Sequence, residues 1–573
     1  MRIKHFFGLA VLAAMTASCS SNNDLVNGGN GSGENVSGAS YASFTINLPT
    51  TSGTRADGTP SSSPSFVNGD KNEYAVKDAT LLLFQKNATT GAYEYKEAVE
   101  LGNMEPWTSS DATGITTTAK LTAKLNNAKV GANDYYALIV LNNHTTTAAK
   151  IKFPTTNQPF AEWSKIAANA TDKYSEYDNG FFMANAPKYV ANETPTTLVA
   201  IKNICASKQQ AENSEATKVY VERGLAKVSL ATGSDDKHVD IADGNYAGDK
   251  VDIKGWTLDV TNKKTFPVHV TASDDLWPEI WKTTATTATN GATMDRFHDK
   301  LGEFPRVYWG VDPNYKTDLA TVPDCEGEFT MAKTADFKTE ADAKKPQYCL
   351  ENTFDIDHMV QGQTTRVLFS AKYTPAGFSA GETFYKMGNS SQLWNADKVK
   401  AQIKAKAMEV FNETDADKVE VILTGTDLAK AGIHLITKAN VKHGTAEISD
   451  ADITAINTKL GFKAASGTDP MVGLSTYVDG VSYYIARVKH FGDYLTKWEA
   501  GNDTYSSNNI NWLGRYGVLR NNWYELSVHS VSGPGYPDVP KVNPKDPDDV
   551  NDQYINVEVK ILKWAKRSQS VDL

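Results

Sequence analysis

The chain is predicted to be mainly β, folded as antiparallel sandwiches with short helices, and three observations lead there. Short runs rich in β-branched and aromatic residues recur along the body, among them ATLLLF (79–84), YYALIVL (135–141) and VSYYIARV (481–488). Turn-forming residues punctuate these runs, as expected of stacked sandwiches. Helical periodicity is confined to two stretches. The length of 573 residues suits three or four domains of ordinary size, or two large ones. Lys and Arg total 58 against 68 Asp and Glu, a net charge of −10, so no nucleic-acid partner is expected. With 40% hydrophobic residues the chain can bury sizeable cores.

From the N-terminus, Arg2 and Lys4 precede an apolar stretch, Phe6 to Ala17, broken by Gly8, and small residues lead to Cys19. This is a secretory signal over residues 1–18, too short to span a bilayer. A cysteine after small residues and before a polar tether reads as a bacterial lipoprotein site, with Thr16 standing where Leu is usual. The alternative is a plain signal peptide with an incidental cysteine. Residues 20–39 are rich in Gly, Ser and Asn, a flexible tether. Phe44, Ile46 and Leu48 then alternate with Thr45 and Asn47, a half-buried strand. The turn-rich run 50–65 follows with a single basic residue, Arg55. It is either an ordinary surface loop or a place for a trypsin-like protease to cut, between Arg55 and Ala56.

In the body, further strands are expected at Lys218–Val221, Lys227–Leu230 and Arg366–Tyr373. Helices are expected at Pro159–Ala168 and Asn395–Phe411. In the second, Val399, Ile403, Ala407 and Phe411 share a face and Asn395 is a suitable N-cap. An N-terminal domain is expected to end near Arg223.

The chain ends in a Pro- and Asp-rich stretch, residues 533–552, which reads as an extended, solvated linker. Beyond it, Ile555, Val557, Val559 and Ile561 alternate with Asn556, Glu558 and Lys560, and Trp564 closes the run. Such a strand must pair somewhere, either folding back on its own domain or adding to a neighbouring molecule. If cleavage after Arg55 removes the Phe44–Leu48 strand, an apolar groove with unpaired edges is left. A C-terminal strand from another copy would fill it, and that head-to-tail contact does not close, so it builds a filament.

On these motifs the chain resembles the fimbrillins of Bacteroidales-type bacteria, the type V pilins, and among them the major subunits of short fimbriae. The resemblance spans nearly the full length. It is carried by the signal ending at Cys19, TRADG around Arg55, VYVERGLAKVSL (219–230), WTLDVTNKKTFPV (256–268) and YCLENTFDIDH (348–358). YYIARVKHFGD (483–493), YGVLRNNWYELSVHSVSGPGYP (516–537) and INVEVKILKW (555–564) complete it. It implies two transthyretin-like β-sandwich domains, 56–223 and 224–536, a propeptide 19–55, and a linker with donor strand, 537–573. By the same resemblance the partners are further copies, tip and anchor subunits, an Arg-specific protease, and the outer membrane through lipid. The role implied is a stalk subunit of an adhesive fimbria, with no cofactor.

Against an enzyme, no GxSxG, HExxH, Walker-type loop or dinucleotide fingerprint occurs. Glu351, Asp355, Asp357 and His358 invite a metal-site reading. On a strand, however, Asp355 and Asp357 share a face away from His358, so a solvated edge or turn is expected. His490 is expected to be a hydrogen-bonded structural residue. Cys325 and Cys349, 24 residues apart in an exported chain, are candidates for pairing. Trp107, Trp163, Trp256, Trp309, Trp512, Trp523 and Trp564 are expected in cores and not as a sugar platform. The rival reading is a surface glycan-binding lipoprotein.

Overall fold

The computed structural model describes residues 39–49, 71–102, 108–110, 115–143, 150–169, 180–231, 237–271, 278–281, 297–298, 304–337, 345–466, 469–490, 512–548 and 555–563. The signal, Cys19, Arg55, Ala56, Trp107 and Trp564 lie outside them. Within them the protein is mainly β, with several antiparallel sheets.

The first sheet runs Tyr93–Glu100, Ala79–Lys86, Tyr135–Leu141, Met183–Asn185, Thr217–Arg223, Ser40–Pro49, Ile115–Leu125, Thr108–Ser110, and Val199–Ala200 adds to Tyr135–Leu141. Thr217–Arg223 serves two neighbours. Its first half pairs in parallel with Ser40–Pro49, and its second half pairs antiparallel with Met183–Asn185. The ladder thereby wraps one core in which Phe44, Leu81, Phe84, Leu138 and Phe182 meet. ATLLLF lacks polar alternation because every residue of Ala79–Phe84 is buried.

At Gly224 the chain crosses to a second layer. Leu225–Leu230 lies between Gln347–Leu350 and Asn522–Val531, and Ile555–Lys563 forms that sheet's outer edge. Facing it is the sheet His238–Asp240, Lys250–Asp259, Arg366–Thr374, Val481–Arg487. Trp256, Phe369 and Tyr484 from one layer pack with Val228, Tyr524 and Leu526 from the other, a two-layer sandwich.

RNNWYEL ties the two layers' junction together. Arg520 Nε donates to Glu351 at 2.9 Å, and Asn521 Oδ1 accepts from Arg223 Nη1 at 3.3 Å. Asn521 holds a φ of +57°, the left-handed turn that Asn tolerates. Trp523 Nε1 donates to Ser229 at 2.7 Å, and Tyr524 OH accepts from Leu519 N at 2.8 Å. All of these residues except Trp523 and Ser229 are nearly solvent-free, so each polar atom needs its partner.

Between the paired strands Arg366–Thr374 and Val481–Arg487 lies an insertion with its own core. Helix Ala396–Phe411 forms as its periodicity predicts: Asn395 accepts from Lys398 N at 3.0 Å, and Val399, Ile403 and Ala407 are buried. The helix ends at Asn412 in the left-handed conformation. A second helix, Asp450–Lys459, was not expected, although its Ser449/Asp452 capping box is a legible start signal. Conversely, only Phe160–Trp163 of the helix expected at 159–168 forms. Ala168–Asn169 instead pairs with Lys264–Thr265, taking the backbone groups a longer helix would use.

The solvated linker is a further correction. Residues 533–548 form a docked strap. Tyr536 and Tyr483 exchange backbone hydrogen bonds at 2.8 and 2.9 Å. Arg366, itself paired with Asp259 at 2.8 Å, donates to Pro540 O at 2.7 Å. Val542 is buried against Val260 and Phe329. The prolines that suggested exposure serve here because a strap off the ladder has few backbone N–H groups to satisfy.

Candidate assembly strands

The Ser40–Pro49 strand is held on both edges. It pairs antiparallel with Ile115–Leu125 along its length, and Phe44 to Asn47 pair in parallel with Thr217 to Tyr220. Phe44, Ile46 and Leu48 are at most 1% exposed, and Ala42 completes that face. Burying three such side chains contributes on the order of 5–9 kcal/mol, an upper estimate. The opposite face is polar but satisfied: Ser43 meets Thr122 at 2.7 Å, and Thr118 donates to Asn47 at 2.9 Å. Tyr41 exchanges backbone hydrogen bonds with Cys205, closing the strand's start. The expected strand is therefore present and central, and its removal would bare a groove with a floor of core residues and two open ladders.

Among the described residues the Ile555–Lys563 strand is held on one edge only. It pairs antiparallel with Asn522–Val531, from Ile555 opposite Val531 to Lys563 opposite Asn522. Val559 pairs with Leu526 and Ile561 with Tyr524. Val557 is 9% exposed and Ile555 packs beside it on the sandwich core. Of the two pairings left open by the sequence, the single chain adopts the fold-back.

The acidic cluster separates into structural roles. Glu351 is fully buried on Arg520, so the solvated reading fails for it. Around it, Glu222 meets His269 at 2.9 Å and Arg306 at 3.2 Å. Burial works to raise the Glu222 carboxyl, but His269, Arg306 and Arg520 outweigh it and hold it below the usual range. Asp312 goes the other way. Burial pushes it up to about 7, opposed by the N–H groups of Thr353 and Asn314.

Asp355 caps the short helical turn Ile356–His358 and accepts from His358 Nδ1 at 2.5 Å, while His358 Nε2 meets Asp318 at 3.1 Å. A turn is thus found where a strand edge or turn was expected, but Asp355 and His358 are buried. Among the described residues no group of three or more His, Cys, Asp or Glu is arranged to hold a metal.

Asp355, and secondarily Asp318, holds the His358 imidazolium above its ordinary range despite burial. A raised folded value gives stability that is complete below the ordinary imidazole value, about 6.5, and is lost as pH rises through the folded value. The melting-temperature gap between wild type and His358→Gln should accordingly be widest at about pH 5–6 and narrow in alkaline buffer. A pH-independent gap would remove the charge from the account.

His490 is buried and bonded to Tyr524 OH at 2.8 Å, a structural residue as expected. Cys325 and Cys349 are both buried and unpaired, and burial pushes their thiols up to about 11 and about 12. Trp163, Trp256, Trp309 and Trp512 are core residues at most 4% exposed, and Lys227 Nζ lies 4.0 Å over Trp523.

No curated protein matches the chain. Among solved structures, a "putative cell adhesion protein" from Parabacteroides distasonis ATCC 8503 is 11% identical, over 92% of this chain and 99% of that one, with a TM-score of 0.37. The tip fimbrial protein Mfa3 from Porphyromonas gingivalis, with a C-terminal truncation, is 11% identical over 91% of this chain and 100% of that one, at 0.27. A fimbrial assembly protein from Parabacteroides distasonis ATCC 8503 is 10% identical over 59% and 85%, at 0.28. Scores this low do not establish a common fold. Residues 475–570 match the family described as major fimbrial subunit protein type IV, fimbrillin, C-terminal. Across that stretch, which takes in the strands Val481–Arg487, Asn522–Val531 and Ile555–Lys563, the chain carries the fimbrillin C-terminal pattern.

Proposed function

We propose that this chain is a structural subunit of a cell-surface adhesive fimbria and not an enzyme. It is exported as a lipoprotein through Cys19, cut between Arg55 and Ala56 by an Arg-specific protease, and polymerised head to tail by strand exchange. The mature subunit comprises sandwich domains 56–223 and 224–536, and it joins further copies and the tip and anchor subunits.

One observation carries this reading: the asymmetry of the two terminal strands. The N-terminal strand occupies a two-edged slot, and the C-terminal strand, of the same alternation, occupies a one-edged seat. Transfer into the slot gives the C-terminal strand a second ladder and a deeper apolar face, so exchange is downhill once the slot is empty. Ile555, Val557, Val559 and Ile561 are the residues that would take the places of Ala42, Phe44, Ile46 and Leu48.

The test begins with precursor lacking its signal, treated with trypsin, followed by N-terminal sequencing and an unboiled gel. A new terminus at Ala56 together with a ladder of oligomers is expected, and Arg55→Ala should leave uncut monomers. An intact monomer, or cutting without assembly, would overturn the reading.

A further inference from the structure

We propose that the strap 533–548 is a fixed mount for the C-terminal strand, so that the swinging arm begins after Asp548 and not at the start of the Pro-rich stretch. This rests on the strand-exchange reading and locates its pivot.

Every few residues the strap is fastened to the body. The carbonyls of Gly533, Pro534 and Gly535 accept from Tyr484 OH, Ser482 Oγ and Tyr477 OH. Gly535 has a φ of +60°, and a Cβ there would lie 2.4 Å from Tyr483 O, so the close approach requires glycine. Further along come the Tyr536–Tyr483 backbone pair, the Arg366 bond to Pro540 O, and the seat of Val542. Pro544 lies so close to Gly362 that a Cβ on the glycine would sit 2.9 Å from Pro544 Cα. Gln361 N donates to Asp546 O at 2.9 Å, and Asp548 N donates to Met359 O at 3.0 Å. Asp548 is fully buried and its carboxylate accepts from Thr364 Oγ1 at 2.9 Å.

These fastenings end on residues 359–366 and 477–484 or in the Val260/Phe329 pocket. The Ile555–Lys563 strand takes its ladder from other residues, those of Asn522–Val531, and meets Val481–Arg487 only across the sandwich core, where Val557 and Tyr484 share a cluster. Freeing the strand therefore removes none of the named bonds. The consequence is geometric. A linker loose from residue 537 leaves 18 residues before Ile555, a reach of up to roughly 60 Å, whereas a mount at Asp548 leaves six, roughly 20 Å. The shorter arm fixes the distance between successive subunits and raises the effective concentration of donor at the slot.

Hydrogen exchange on the full-length chain carrying Ile555→Asp and Val557→Asp tests the mount, because one buried and one half-buried carboxylate against the sandwich core unseat the strand in the monomer. The Asn522–Val531 amides that point toward the freed strand should lose protection by more than about tenfold, while the amides of Tyr536, Asp548, Gln361 and Tyr483 keep theirs. Strap amides that open together with the strand would overturn the proposal. The chain deleted from residue 555 onward gives the same readout if the double variant misfolds. Absence of a trypsin-triggered ladder in the wild type would sink strand exchange, a different failure from an opened strap.

Discussion

A chain deleted of residues 554–573 is expected to fold, to be cut at Arg55, and to form no filaments. Folding should survive because the strap that precedes the deletion makes its own bonds to the body, and the strand it loses lies at a sheet edge. The loss comprises the burial of Val557, part of Ile555 and one ladder, on the order of 2–5 kcal/mol. Polymerisation should fail completely, because the emptied slot of one copy has no strand from the next to fill it. Electron microscopy and the unboiled gel read the result. Filaments from the deleted chain would assign donation to another segment. A peptide of sequence YINVEVKILKW, added during cleavage of the wild type, should occupy slots and shorten the ladder in proportion to its concentration.

The strands that the sequence made legible are those whose pattern reflects their burial. YYALIVL and ATLLLF lie within the first sheet and are buried almost throughout, so their apolar runs translate directly into strands. The Asn395 helix was legible for a similar reason, its cap and its three buried positions all being local. What escaped depends on distant partners. Prolines in the 533–548 strap look like those of a solvated spacer until Arg366, Thr364 and Gly362, 174 to 184 residues away, supply the seat. Glu351 likewise reads as a surface acid or a ligand in isolation, and becomes the buried partner of Arg520 only when the two sheets meet. The Asp450–Lys459 helix has a single fully buried apolar residue, Ile456, so its periodicity was too faint to register. Alternation marked the candidate assembly strands as strands, and the resemblance supplied their displaced and donor roles, but that one is held on two edges and the other on one is a property of topology, which alternation does not encode.

Phe44→Ala should destabilise the precursor severely and leave finished filaments untouched. Phe44 has no exposed surface and packs in the first core, so its truncation is expected to cost about 3–5 kcal/mol. In a thermal scan the uncut variant should melt well below wild type. On the proposed cleavage between Arg55 and Ala56, however, residue 44 would depart with the displaced strand, and the polymer built from the variant would have the same chemical composition as wild type. Its resistance to heat and detergent should therefore be unchanged. The rate of conversion should rise, because a propeptide held by less apolar burial is displaced more readily by the incoming strand. A substitution elsewhere in the same core separates the two states differently. Leu138→Ala, in the same core but on a strand that stays, should weaken precursor and filament alike. If Phe44→Ala filaments lost stability in step with their precursor, the N-terminal strand would still be present in the polymer, and the slot would not be the site of exchange.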